Sequence, residues 1–393
     1  MFDPRSTPAV NAHPKVEALP ALTSLRFFAA AYVVAFHYTP YYFPNVEGPS
    51  VIALGYSGVT FFFLLSGFIL AYNYKDADFR EPRLRTLFYR ARLARVYPVY
   101  LLALAVHVPW FLAWVLKQPM PLKALMGSGA VLAPLGLHAW VPGAACSLDC
   151  PSWSVSIELF FYALFPILLP LVLRSPARVA VATLAFWVAG SALATSFWQV
   201  YGAGASLIAP ESGGMGPMLL AEFVKYFPLL HLPEFVAGLL LFVAWRDNRP
   251  PVLFLLALAI AFGALIVTGA SSVPEPILHN GLTMLTWAPL ILACAAMRRG
   301  PLCSRPLVFL GKISFALYLL HIPVYAALNT LDRLALHGWL GTHPWVGVTV
   351  ACLASLVAAA VVHLAVEEPA RRRILRSARQ PTIPALPATR VRA

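Results

Sequence analysis

The sequence predicts an all-α, polytopic membrane protein of about ten transmembrane helices, with both termini in the cytoplasm. Three observations predict it. The 393 residues are 60% hydrophobic and only 11% charged, too little polar surface to coat a water-soluble fold. The apolar runs are about 20 residues long, the length a helix needs to cross roughly 30 Å of hydrocarbon, and they do not alternate as barrel strands do. Most of the basic residues fall on one side of an even number of spans.

In chain order, residues 1–20 hold four prolines and no apolar core. They read as a cytoplasmic tail, not as a cleavable signal. Spans are expected near 22–42, 52–73, 96–116, 153–173, 179–199, 226–245, 252–269, 278–297, 309–328 and 345–366. With the N-terminus inside, 25 of the 29 Lys and Arg residues lie in the inner segments, and only Lys117, Lys123, Lys225 and Arg333 lie outside. The opposite orientation inverts that split. Residues 371–393 form a short, basic, Pro-rich cytoplasmic tail. The net charge of +13 is therefore mostly topological, and no nucleic-acid partner is implied. Cys146 and Cys150 share an outer loop, CSLDC, where an oxidising compartment permits a small-ring disulfide. Sequence alone leaves that pairing open. Cys294, Cys303 and Cys352 read as small apolar or loop residues.

Ionisable groups inside membrane spans are costly, so each needs an explanation. LRFFAAAYVVAFHY carries Arg26 and His37 eleven residues apart, three turns plus about 20°. The two share one helix face about 16 Å apart. A snorkelling arginine and an interfacial histidine are the plain readings, but the shared face favours a polar cleft. SWSVSIELFFY opens the fourth span and puts Ser154, Glu158 and Tyr162 on one face. Glu158 is either an interhelical hydrogen-bonding group or the carboxylate of a His–Glu dyad with His37, in which it fixes the imidazole for general-base work. GKISFALYLLHIP places Ser314, Tyr318 and His321 on one face of the ninth span, where helix packing and a site role weigh equally. His231 and Glu234, near the outer end of the sixth, read first as packing groups. RTLFYRARLARVYP forms an inner loop with Arg90, Arg92 and Arg95. It is a topology signal, or a guanidinium clamp for phosphate. The histidines are scattered without ligand spacing, so no metal site is expected.

These blocks together resemble the acyltransferase-3 family of integral membrane O-acyltransferases, which O-acylate sugars, lipids and antibiotics. The resemblance covers nearly the whole membrane region, 21–370. It rests on Arg26 and His37 in the first span, on GYSGVTFFFLLSGFIL with Ser66 in the second, and on RLARVYP with Arg92 and Arg95. It rests also on Trp153, Ser154, Glu158, Phe161 and Tyr162, on Gly311, Ser314, Tyr318, His321 and Pro323, and more loosely on EEPARR. The chain stops about 25 residues after its last span and resembles the stand-alone, O-antigen or exopolysaccharide acetylase type.

The resemblance implies acyl-CoA, most simply acetyl-CoA, as co-substrate, with no tightly bound cofactor. It implies a saccharide or glycolipid hydroxyl as acceptor and a bacterial-type inner membrane as location. Arg26, Arg90, Arg92 and Arg95 are expected to hold the CoA. His37 and Glu158 are expected to carry the chemistry. Ser66, Trp153, Ser154, Tyr162, Ser314, Tyr318 and His321 are expected to support the cleft. A transporter of an acidic or zwitterionic solute uses the same residue types, but the sequence lacks the repeats such transporters carry. A haem protein using His107, His321 or His363 is the weakest alternative. Acyl length, the acylated hydroxyl and oligomeric state are not legible.

Overall fold

The computed structural model describes residues 18–44, 50–201, 222–248 and 250–377. Among them there is no strand, and ten helices are long and apolar enough to cross a membrane. These are Pro20–Tyr42, Val51–Tyr74, Pro82–Val115, Cys150–Arg174, Pro176–Val200, Pro228–Asp247, Val252–Ser272, Glu275–Ala296, Arg305–Ala335 and Pro344–Arg376. Each expected span has its helix, and the chain is a multi-pass membrane protein. Most of the two expected tails, 1–17 and 378–393, lies outside the described residues.

Two expectations need correction. The Arg-rich segment before the third span is not a loop. It is the first half of one 34-residue helix that starts at Pro82. Proline suits the first helical turn, and the Arg, Leu and Tyr residues that follow contain no breaker until Pro98. The segment between the third and fourth spans is not a simple outer loop either. It holds a shorter apolar helix, Met120–Leu135, and then irregular backbone that folds into the bundle. Ala144, Ser147, Asp149 and Ser152 there are fully buried, and Cys146 and Cys150 are joined as a disulfide. Irregular backbone survives at such depth only where protein surrounds it.

The bundle is organised around close helix pairs: first with ninth, second with sixth, seventh with eighth, ninth with tenth. Between helices in lipid there is little hydrophobic drive, so small residues that let backbones touch decide these pairs. Gly67 of the second span lies against the backbone of Phe235 and Gly238, and Gly238 lies against Leu64 in return. Gly311 lies against the Thr23 carbonyl and brings the ninth span onto the first. The second and sixth spans are the most enclosed, whereas the fifth and seventh turn residues such as Val181, Leu193, Leu253 and Ile260 outward.

Candidate active site

The close first–ninth pair sets one wall of the site. At the far end from Arg26, the Tyr38 hydroxyl donates to the His321 carbonyl at 2.7 Å and lies 2.8 Å from Ser355 Oγ, tying the first, ninth and tenth spans together. Beside it, His321 Nε2 is 3.2 Å from His37 Nδ1. Proton inventory settles this pair when both rings are neutral. His321 Nδ1 lies 2.6 Å from the Tyr318 carbonyl, which only accepts, so Nδ1 carries the hydrogen and Nε2 the lone pair. His37 Nδ1 must then donate, and it also lies 3.0 Å from the Val33 carbonyl, a second acceptor. The lone pair of His37 is thereby left on Nε2, which has no partner among the described residues.

The second feature is a cavity of about 320 Å³ enclosed by the first four spans and the ninth. It runs from Leu19 and Asn73, at the span ends, inward to Ser154 and Tyr318. Arg26, Arg92 and Arg95 line it, as do Ser66, Glu158 and Tyr162. The Arg92 guanidinium lies 6.0 Å from the ring centres of Tyr74, Phe88 and Tyr162. Arg26 Nε and Arg92 Nε are buried with no hydrogen-bond partner among the described residues. Glu158 accepts a hydrogen bond from Tyr162, one helical turn on. Tyr318 donates to the Pro151 carbonyl at 2.9 Å and lies 2.9 Å from Ser154 Oγ, which pins the start of the fourth span to the ninth. Three guanidinium groups against one carboxylate, Glu158, beside aromatic walls leave the lining net positive, which suits an anionic ligand with an extended, uncharged arm.

The structure gathers most of the expected residues but sorts them differently. The cleft expected along the face shared by Arg26 and His37 is lined by Arg26 but not by His37, and His321 is absent from its wall as well. His37 and Glu158 do not hydrogen-bond to each other: His37 is paired with His321 across 284 positions of sequence, and Glu158 sits with Tyr162 and the arginines. Arg90 is exposed and absent from the cavity wall. Arg92 and Arg95 are three residues apart on a helix and share a face, whereas Arg90 is rotated about 200° from Arg92. Ser314 is buried and bonds back to the Gly311 carbonyl at 2.9 Å. Trp153 points into an aromatic cluster with Phe63, Tyr226, His231 and His279.

His231 is a closed structural network. Its Nδ1 lies 2.7 Å from Glu234 and its Nε2 2.8 Å from the Lys225 carbonyl, while Thr60 donates to the same carboxylate at 2.7 Å. With both ring nitrogens engaged, it cannot take a proton from a substrate. Sequence reasoning missed Asn73 and Thr23, which line the cavity. A polar residue one turn from the Arg-bearing end of a span was the available signal.

A family model described as an acyltransferase domain matches residues 19–364. The chain belongs to the acyltransferase-3 family. It is 31% identical over 381 residues to acyltransferase MdmB of Streptomyces mycarofaciens, covering 91% of this chain and 93% of that one. It is 26% identical to the putative membrane-bound transacylase BcsY of Komagataeibacter xylinus, covering 81% of this chain and 75% of BcsY. It is 24% identical to the O-acetyltransferase OatA of Staphylococcus aureus, covering 79% of this chain but 51% of OatA. No solved structure matches the chain. The matched region of this acyltransferase contains both the His37–His321 pair and every residue named above as lining the cavity.

Proposed function

We propose that this acyltransferase moves an acyl group, most simply acetyl, from acyl-CoA to a hydroxyl of a saccharide or glycoconjugate, in a bacterial-type inner membrane with both termini in the cytoplasm. One observation carries the reading: a single cavity joins Arg26, Arg92 and Arg95 at the span ends to Glu158, Ser154 and Tyr318 deeper in. Guanidinium groups suit the phosphates of a nucleotide thioester, and the bias of basic residues supports a cytosolic side for their end of the bundle, where CoA is found. Two relatives point to the same chemistry by name, OatA as an O-acetyltransferase and BcsY as a transacylase.

In this reading the arm of the donor runs along the first span, and the thioester passes beyond the inner end of the cavity to the His37–His321 pair, which does not line it and lies about 16 Å from Arg26. His37 Nε2 removes the proton of the acceptor hydroxyl. The oxygen attacks the thioester carbonyl carbon, the C–O bond forms, the C–S bond breaks, and the CoA thiolate takes the proton back from the imidazolium. His321, fixed by the Tyr318 carbonyl, holds His37 in the tautomer with Nε2 free. Glu158 balances the arginines and orients Tyr162 beside the arm.

The test is transfer of labelled acetyl from acetyl-CoA to membrane glycoconjugates by the purified protein. His37→Ala is expected to lose about 10²–10⁴ in turnover while still binding CoA. Failure of the wild type to release CoA with any hydroxyl acceptor, or near-normal turnover in His37→Ala, overturns the proposal.

A further inference from the structure

A second cavity of about 420 Å³ adjoins the first, and Arg26 and Arg95 line both. Its other walls come from the start of the ninth span, with Phe309 and Lys312, and from the end of the tenth, with Glu367, Arg371 and Arg372. Cations outnumber carboxylates there, and the carboxylates are already engaged. Glu367 is 2.8 Å from His363, and Glu368 is 2.9 Å from Arg372 and 3.6 Å from Arg371. Lys312 is exposed and has no partner among the described residues. Phe309 presents a half-open ring beside it, 38% exposed.

An aromatic face next to an excess of cations, one of them the unpaired Lys312, is the combination that holds a nucleotide, the base on the ring and the phosphate on the charges. Size points the same way. Ligand pockets run from roughly 300 to 1,000 Å³, and a nucleotide thioester with a long arm belongs at the upper end. Each cavity, at about 320 and 420 Å³, falls in the lower half of that range, and together they come nearer its upper end.

We infer that the second cavity binds the 3′-phosphorylated nucleotide end of the donor, with Lys312 and Arg371 on the 3′-phosphate, Phe309 against the base, and Arg26 and Arg95 at the junction where the pyrophosphate passes into the first cavity. This rests on the reading of acyl-CoA as donor. It makes the start of the ninth span and the end of the tenth a selectivity element for CoA over donors that lack the 3′-phosphate.

The test compares CoA with 3′-dephospho-CoA by calorimetry on the full-length protein in nanodiscs, which requires no acceptor. Wild type is expected to bind CoA about 10- to 150-fold more tightly, the worth of a charge-assisted contact. In Lys312→Ala and in Arg371→Ala that ratio is expected to collapse towards one, because CoA binding falls while dephospho-CoA binding holds. Phe309→Ala is expected to weaken both ligands alike, by about 5- to 150-fold. An anionic lipid headgroup offers the same phosphate chemistry. If it is the occupant, the variants alter CoA binding only in nanodiscs containing phosphatidylglycerol, with the CoA ratio unchanged, and the proposal fails. A ratio that both cation variants leave intact also overturns it, while the acyl-CoA reading stands. No binding of CoA by wild type at all overturns both.

Discussion

His37 has its donor side occupied and its acceptor side free, and that asymmetry is set by a neighbour far away in sequence. Because the Tyr318 carbonyl fixes His321, removing the His321 ring frees His37 to sample the other tautomer. His321→Ala is expected to lower turnover at least tenfold, with about 10⁴ as the ceiling known for a wrongly held tautomer. The KM for the donor is expected to stay unchanged, and the acidic limb of the pH–rate profile to move. A change in donor KM alone would make His321 a packing residue. A second histidine matters for stability. His138, fully buried between the third and fourth spans with its Nε2 3.2 Å from Ser152 Oγ, has its pKa pushed down to about 4 by burial. The unfolded chain protonates near 6.5, so stability present above that pH drains away as pH falls towards 4, by about 1.4 kcal/mol per pH unit. Burial raises the pKa of Asp149, which works in the opposite direction, so the comparison must be with a variant. Wild type is expected to lose more thermal stability in detergent between pH 6.5 and 4 than His138→Asn does. Equal losses would show that the ring titrates normally.

Helices were legible where length and composition suffice, and much less so where they do not. The ten spans could be read because a bilayer imposes one length on all of them. The helix over residues 82–95 could not, since Arg, Leu and Tyr serve a basic loop and a helix equally well, and the rule that bases collect inside is silent on secondary structure. Met120–Leu135 escaped because its apolar run is too short to signal a span. The shared face of Arg26 and His37 followed from helical periodicity, but the partner of His37 did not, since nothing local marks residue 321. The glycine contact between the second and sixth spans shows how little slack these pairings have. Gly238→Leu is expected to force the two backbones apart and cost about 1–3 kcal/mol, the usual range for overpacking. An unchanged unfolding temperature in detergent would mean that the pair tolerates a wider separation than the Gly238–Leu64 contact implies.

For the molecule as a whole, orientation in the membrane decides which substrate meets which end. The disulfide and the burial of Cys146 make the native loop cysteines poor reporters. Exposed positions serve better. In a cysteine-free background, Lys117→Cys is expected to react with an impermeant thiol reagent in intact cells, and Lys75→Cys only after lysis. The reverse pattern would put the arginine-lined cavity on the wrong side for cytosolic CoA. A last consequence concerns the membrane's insulation. A cell that stores energy as a proton gradient cannot tolerate an aqueous wire through its bilayer, yet the reaction proposed here needs a polar route for a thioester. Three guanidinium groups line that route against a single carboxylate, Glu158, so its charge is net positive. Fixed positive charge in a narrow passage repels hydronium as it repels metal cations, while it draws anions in. The same arginines that suit the donor's phosphates would therefore keep the empty enzyme electrically tight between turnovers.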